Sequence, residues 1–209
     1  MDYQEILDAG TAYADRKSDP EVSENLDLFL RMGEARLSRL LKVRKASVKA
    51  ILLSNGGNIY SLPPDYGGMR NIKIVPLDAT KRVLILDYIN PRQMTIKQQG
   101  QTTDNQLGYY TIVADQIEFA SDLTASTIEI LYYQRIPPLT DEDNTNWVSL
   151  DHPDMYLALL MFEIEIFAKN YDVADGWEAR LDKALGELSV TDISERWSGD
   201  PLATKVSNI

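Results

Sequence analysis

One run of eight residues constrains the fold of this chain more than any other feature. Residues 155–162, MYLALLMF, are apolar on every side of a helix, and the run is far shorter than the roughly 20 residues that span a bilayer. Such a helix has to be covered by other elements from several directions. We therefore expect several other elements of the chain to pack around this helix.

The first 46 residues predict two helices. A short helix is indicated over about 2–16, and a longer one over about 20–45, where leucine and phenylalanine recur at intervals of three or four residues. Arg31 and Arg39 fall on the side opposite this apolar stripe. Basic residues there also suit the negative C-terminal end of a helix dipole.

The chain after the middle region returns to a helical pattern. Residues 137–189 predict a helical hairpin whose first helix opens with Pro153, a favoured residue at a helix start. Residues 190–209 carry glycine, proline and serine, and they predict an extended arm rather than a part of the core. The apolar residues of this arm are Ile193, Trp197, Leu202 and Val206.

The middle of the chain, residues 47–136, changes to the pattern of β-strands. Asn55-Gly56 separates two apolar runs and predicts a tight hairpin, since both residues tolerate positive φ. A second hairpin is indicated over 109–120. Residues 127–134 are rich in β-branched and aromatic side chains and predict a central strand. The whole chain is thus expected to be α+β, with a β-rich middle region between helical ends.

Charge is unevenly distributed along the chain. Residues 1–28 hold eight acids and two bases, a net charge of −6. Residues 29–136 hold nine acids and fourteen bases, a net of +5, and residues 137–209 hold fifteen acids and five bases, a net of −10. Solubility explains a net charge but not its segregation. A second interpretation is that the acidic ends meet basic surfaces of other subunits or other proteins.

Catalytic and metal-binding patterns are absent from the sequence. There is no cysteine and a single histidine, His152, so thiolate and multi-histidine metal sites are excluded, and a serine–histidine triad is disfavoured. Glu163 and Glu165 stand in the apolar helix, but positions two apart on a helix point in different directions. We expect them to pair with arginines of this or a neighbouring subunit. No catalytic residue, cofactor or metal site is predicted.

The order of features in the second half is more specific than any single site. The residues that carry it are Tyr109–Val113, Gln116–Phe119, Ile128–Tyr133, Pro137–Thr140, Asn146–Val148, Pro153-Asp154, Tyr156–Leu159, Glu163, Phe167, Trp177-Glu178, Ala184-Leu185 and Leu188. In this order and spacing the chain resembles the head-to-tail adaptor proteins of short-tailed bacteriophages. The resemblance covers about residues 20–189. Glu165 and Ile166 depart from it, because small alanines are usual at these two positions.

This resemblance implies a structural protein rather than an enzyme. Such adaptors consist of a helical bundle with an inserted, mostly antiparallel β domain. They form a homo-oligomeric ring, usually dodecameric, beneath the portal of the virion, in which other subunits would provide part of the cover of the apolar helix. The ring continues the channel for double-stranded DNA to the tail, without sequence specificity. Portal and tail nozzle or fibre proteins are the implied partners, with no membrane, and assembly takes place in the host cytoplasm. We expect Arg31, Arg39, Glu163 and Glu165 at contacts between subunits, and the arm 190–209 on the portal.

Two other functions remain open at this point. A tail tube or nozzle protein would share these partners without facing the portal. A tail-associated cell-wall hydrolase would need two acids about 5 to 9.5 Å apart across a cleft, and the sequence offers no convincing pair.

Overall fold

The chain forms two compact units. The computed structural model describes residues 1–78, 80–99, 108–123 and 126–197. The first unit combines residues 1–44 with the chain from 136 onward, and the second comprises residues 45–135. Helices and strands are both well represented, so the predicted α+β class is confirmed.

The elements follow one another in the order that the sequence patterns indicate. The helices are α1 (Tyr3–Tyr13), α2 (Pro20–Leu40), α3 (Pro91–Gln99), α4 (Trp147–Asp151), α5 (Pro153–Phe167) and α6 (Tyr171–Trp197). The strands are β1 (Ser47–Leu53), β2 (Ile59–Ser61), β3 (Tyr66–Pro76), β4 (Leu84–Ile85), β5 (Asp87–Tyr88), β6 (Tyr109–Val113), β7 (Gln116–Phe119) and β8 (Ser126–Gln134). A 3₁₀ turn at Arg44–Ala46 leads into β1.

Local side-chain chemistry fixes where the first two helices begin. The Asp2 carboxylate accepts a hydrogen bond from the Glu5 N–H at 2.8 Å, and the Glu5 carboxylate accepts one from the Asp2 N–H at 2.9 Å. This reciprocal pair is a capping box. At α2 the Asp19 carboxylate accepts from the second and third helical N–H groups, and Pro20 takes the first helical position. Both helices therefore start at residues whose chemistry suits a helix N-terminus.

Helix α5 lies at the centre of the first unit, in contact with α1, α2, α4 and α6. Two glycines permit the close approach of its neighbours. A Cβ atom at Gly33 of α2 would lie 3.1 Å from the Leu159 Cβ of α5, and one at Gly10 of α1 would overlap Leu160. A larger residue at either crossing would force the facing leucine of α5 to shift.

The cover of α5 comes from its own unit. Its buried apolar residues are Met155, Tyr156, Ala158, Leu159, Leu160, Met161 and Ile164. Leu157 and Phe162 of the apolar run are only partly buried, and their cover by other subunits stays a prediction. Four helices of one chain surround α5 because α1 and α4 add to the two long helices and the glycines bring them close.

The second unit contains two four-stranded sheets with a common core. Their strand orders are β1-β8-β3-β4 and β2-β7-β6-β5. The pairs are antiparallel except β5 with β6. The predicted central strand is confirmed, because β8 pairs with β1 on one side and with β3 on the other. Its alternate residues Ile128, Ile130 and Tyr132 enter the core.

One hairpin prediction is confirmed and one is wrong. Strands β6 and β7 form the expected hairpin, with Ala114 at φ 53° in the turn. Asn55-Gly56 does form a turn, with Gly56 at φ 84°, but the strands on its two sides belong to different sheets. The Phe119 N–H donates to the Asn58 carbonyl at 2.8 Å, which directs the chain after the turn to β7. Long-range pairing thus overrides the local hairpin signal.

The predicted arm is helical over its first residues. Helix α6 continues to Trp197 instead of ending near residue 189. The Asp192 carboxylate accepts a hydrogen bond from the Arg44 N–H at 2.8 Å, and Glu195 forms an ion pair with the Arg44 side chain. These contacts hold the end of α6 against the chain that leads to β1. Residues 198–209 lie outside the described part of the chain.

Substitution of Gly10 tests the tight crossing of α1 and α5. We expect Gly10→Val to lower the free energy of unfolding by about 1–3 kcal/mol, because the new side chain overpacks Leu160. Gly176→Val is the matched control, since a Cβ there has no neighbour within 4 Å, and we expect a change within about 0.5 kcal/mol. Urea unfolding followed by circular dichroism measures both. Equal losses would contradict the packing at this crossing.

Candidate interaction surfaces

The described residues contain no group of three or more histidine, cysteine or acidic side chains able to hold a metal ion. Among the same residues, no helix combines the length and apolar character that a membrane crossing requires. The features that stand out are a buried polar cluster in the first unit and several exposed apolar or charged surfaces.

The buried polar cluster centres on Glu34 of α2, which is only 5% exposed. Its Oε1 atom accepts a hydrogen bond from the Leu139 N–H at 2.8 Å and another from the Tyr156 hydroxyl at 3.1 Å. The Asn146 amide donates to the same hydroxyl at 2.6 Å. One carboxylate thus joins α2 and α5 to the loop that returns from the β unit.

Asn146 holds the end of this loop. Its side-chain oxygen accepts from the Val148 and Ser149 N–H groups at 3.0 and 2.9 Å, so it caps α4. Its amide also donates to the Pro137 carbonyl at 2.8 Å. Asn146, Pro137 and Tyr156 belong to the motifs that suggested the adaptor resemblance, and here they position one loop on the helices.

Glu34 did not stand out in the sequence analysis, although a signal was present. It falls among Leu30, Gly33 and Leu37, on the apolar stripe of α2 and not on the polar side. A lone carboxylate on an apolar stripe has to find hydrogen-bond partners when it is buried. The partners could not be named in advance, because Leu139 and Tyr156 are more than 100 residues away in the chain.

Burial raises the pKa of Glu34 above its ordinary value of 4.5. The bonds from Leu139 and Tyr156 and the charge of Arg31 oppose this rise without cancelling it. Burial and the charge of Glu34 likewise raise the pKa of the Tyr156 hydroxyl, so the tyrosine remains a donor. The folded state therefore favours the protonated carboxyl of Glu34 more than the unfolded chain does.

The residues expected at subunit contacts are not equally accessible. Arg31 and Arg39 are exposed on α2. Glu163 is half-buried, and burial raises its pKa against the lowering effect of Arg36. Glu165 is only 6% exposed and accepts a hydrogen bond from the Asn170 amide at 2.8 Å. In the chain itself these two glutamates therefore do not form a pair with Arg31 or Arg39.

A basic residue that the sequence analysis did not select joins three helices. Arg36 of α2 forms an ion pair with Glu178 of α6, and its guanidinium lies 4.9 Å from the centre of the Phe162 ring of α5. A cation over an aromatic face adds to the attraction of the ion pair. The residue is consequently part of the internal structure of the bundle.

Of the four predicted arm residues, Ile193 is the one whose side chain the structure describes. Ile193 is 53% exposed on α6. Trp197 is the last residue of that helix, and its side chain is outside the described part, as are Leu202 and Val206. Val190, one turn before Ile193, is 68% exposed. Within the described part of the chain, the end of α6 thus presents apolar side chains that are mostly exposed.

Helix α2 also has an acidic and apolar outer side, formed by Glu21, Glu24, Leu28 and Met32, which we call the α2 stripe. Intervals of three and four residues place these side chains on one face. All four are exposed, and Leu28 and Met32 are about half exposed. The stripe is opposite the side on which Leu26, Leu30 and Leu37 enter the core.

The β1-β8-β3-β4 sheet has a comparable face on the side away from its core. Pairing places Ile51, Glu129, Lys73 and Ile85 in one row across the four strands. The two isoleucines are 58% and 71% exposed. Leu53 (76% exposed) and Lys49 flank Ile51 on the same side of β1. We call these six residues the outer sheet face.

An ion cluster lies at the centre of the outer sheet face. Glu129 Oε2 is 2.7 Å from Lys49 Nζ and 2.9 Å from Lys73 Nζ. Hydrogen bonds from both lysines lower the pKa of Glu129, so the carboxylate stays charged. Two ammonium groups against one carboxylate leave this face with an excess positive charge. A cavity of about 230 Å³ opens beside them.

Comparison with known proteins provides one match. A family model described as SU10 adaptor protein matches residues 1–205, which include both units. No curated protein matches the chain significantly. The family match agrees with the resemblance to phage adaptors that the second half of the sequence carries.

Glu34 substitutions test the buried cluster. We expect Glu34→Ala to lower the free energy of unfolding by about 1–3 kcal/mol, because a buried N–H and a buried hydroxyl lose their acceptor. Glu34→Gln keeps an acceptor oxygen and should lose much less. Denaturant unfolding measures both, with the exposed Glu187→Gln as control. A Glu34→Ala variant as stable as the control would contradict the role of this cluster.

The same variants give a pH dependence with a defined sign. The native state binds the Glu34 proton more tightly than the unfolded state, so this residue's contribution to stability falls as pH rises from about 4.5 through the raised pKa. We therefore expect the stability of the wild type, relative to Glu34→Gln, to decrease over this window and then level off. Unfolding curves at a series of pH values measure the difference. A difference that stays constant, or grows with pH, would refute the assignment.

Proposed function

The chain belongs to the SU10 adaptor protein family, and we propose that it forms the ring that joins the portal of a bacteriophage virion to its tail. The family is one of structural phage proteins, which makes a place in the virion the natural conclusion. The observation that carries this proposal is the family match over residues 1–205, because it includes the helical unit and the β unit together.

The ring itself is the finer part of the proposal. It comprises twelve copies, as in the adaptors that the sequence resembles, and its channel passes double-stranded DNA without reading its sequence. Exposed apolar side chains on α2, α6 and the outer sheet face support contacts with other chains. The acidic ends and basic middle of the chain support an ordered arrangement of neighbours, because complementary charges set orientation.

We assign portal docking to the end of the chain, with Ile193, Trp197, Leu202 and Val206 as anchors. A segment with a few well-spaced apolar residues can order on a partner and insert them singly. Tryptophan is enriched among the residues that dominate binding energy. The exposure of Ile193 on α6 supports this assignment. We assign contacts with the nozzle or fibre proteins to the β unit.

The structure argues against a hydrolase that uses Glu163 and Glu165 as its two acids. Glu165 is buried and bonded to Asn170, so it does not face Glu163 across an open cleft. A tail tube or nozzle protein differs from the adaptor in its binding partner, because only the adaptor binds the portal directly. The family match favours the adaptor over both alternatives.

Assembly with the purified portal of the same phage tests the proposal. We expect the isolated protein to be a monomer or a weak oligomer, because a net charge of −11 opposes self-association, and to form a closed ring when portal is added. Mass photometry and cryo-electron microscopy of the mixture measure the outcome. Failure to bind portal, or a stable dodecamer without it, would count against this assembly route.

The point of truncation decides whether the contacts of α6 with Arg44 are kept. Ending the chain at Ser189 removes Asp192 and Glu195, which hold Arg44, so we expect a lower melting temperature. Ending it at Trp197 keeps both contacts and should leave the melting temperature unchanged.

We expect the chain that ends at Trp197 to bind portal at least about tenfold more weakly, because it lacks the anchors Leu202 and Val206. Trp197→Ala in the full chain removes a different anchor and should weaken binding independently. Surface plasmon resonance with immobilised portal compares them with Tyr13→Ala, which removes an exposed aromatic elsewhere. Unchanged affinity in the chain that ends at Trp197 and in Trp197→Ala would show that portal docking uses another surface.

A further inference from the structure

We propose that the α2 stripe of one copy packs across the outer sheet face of the next copy. The proposal rests on the ring of the proposed function and identifies the surfaces that join adjacent subunits. It replaces Glu163 and Glu165 as the acidic partners, because Glu165 is buried and bonded within its own chain.

Apolar matching is the first argument. Leu28 and Met32 stand one turn apart on α2 and are 53% and 48% exposed. On the outer sheet face Ile51 and Ile85 stand at the two ends of one row, with Leu53 beside it. These apolar side chains lie at the two edges of the sheet, on either side of the charged Glu129 and Lys73, so a partner that spans the row would contact both edges.

Charge is the second argument. Glu21 and Glu24 continue the α2 stripe towards the N-terminus of the helix, and both are exposed. The outer sheet face has two lysines against one glutamate, Glu129. The glutamates of the stripe therefore meet an excess of positive charge when the apolar groups are in contact. This pairing also matches the net charges of −6 and +5 in residues 1–28 and 29–136.

Dimensions are the third argument. Four strands spaced by about 4.8 Å place Ile51 and Ile85 roughly 14 Å apart. A helix is about 10 Å wide, and the eleven steps from Glu21 to Met32 extend about 16 Å along its axis. One helix can thus cover the row of the sheet with the whole stripe. Helix-on-sheet packing is also the ordinary way in which an apolar sheet face is buried.

The contact joins two different surfaces and is therefore heterologous. Each copy offers its α2 stripe to one neighbour and its outer sheet face to another. Such head-to-tail contacts form a ring when the rotation between copies closes. An isologous dimer, in which one surface meets itself, does not follow from a stripe with acids and a sheet face with excess lysine.

Disulfide trapping between two differently tagged copies tests the contact, and the absence of native cysteine makes the background clean. One copy carries Leu28→Cys and the other carries Ile51→Cys, so a mixed disulfide can form only between copies. We expect the mixed dimer on the portal and, more weakly, in concentrated protein alone. The control replaces Ile51→Cys by Ile96→Cys, which is similarly exposed on α3 and should not cross-link.

Charge reversal gives an independent readout in the full chain. We expect Glu24→Lys to weaken ring assembly on the portal by about fivefold or more, because attraction becomes repulsion. Adding Lys49→Glu should restore much of the loss. Glu187→Lys makes the same change at an exposed site outside the stripe and should assemble as the wild type does.

The outcomes separate this inference from the proposed function. Portal binding and ring assembly without the mixed disulfide, or with Glu24→Lys equal to the wild type, would overturn the inference and leave the function intact. A wild type that does not bind portal, but forms the mixed disulfide in concentrated solution, would overturn the function and support the contact. Absence of the mixed disulfide under both conditions rejects the contact.

Discussion

The burial of helix α5 is the constraint on which the first unit depends. The central run of this helix is apolar on all sides, so removing each side from water is favourable. Neighbouring elements therefore pack around it. Glycines at α1 and α2 let two of these neighbours approach closely, because a Cβ at either position would press on a leucine of α5. The unit satisfies this constraint with its own helices. Contacts with other copies are then free to use different surfaces.

The two segments that enter and leave the β unit are tied to the helices by polar contacts as well as by buried apolar side chains such as Val43 and Ile136. Glu34 accepts from the Leu139 N–H on the returning segment, and Asp192 accepts from the Arg44 N–H on the outgoing segment. A carboxylate that receives a backbone N–H satisfies a donor that would otherwise be unpaired. Apolar packing thus shapes the helical unit, while a few carboxylates determine where the chain departs and returns.

The exposed apolar and charged side chains form surfaces that are distinct from these internal contacts. Apolar side chains that remain exposed include Phe167 at the end of α5, and others lie on α2, the end of α6 and the outer sheet face. Each surface combines apolar side chains with charge, and the signs differ between α2 and the sheet. A structural protein that assembles in a defined order needs contacts of this mixed kind, because apolar area gives affinity and charge gives orientation.

The sequence by itself determined where α1, α2 and α5 begin, most of the strands, the β6–β7 hairpin and the family, because caps, periodicity and short turns act over a few residues. Asp19 and Pro20 start α2 through bonds within one turn of helix. Only the tertiary structure decided that the strands around Asn55-Gly56 join different sheets and that Glu34 has buried partners. These outcomes depend on contacts between groups that are far apart in the chain, and no local sequence pattern predicts such contacts. The cover of α5 and the helical extension to Trp197 were decided in the same way, by packing between distant segments.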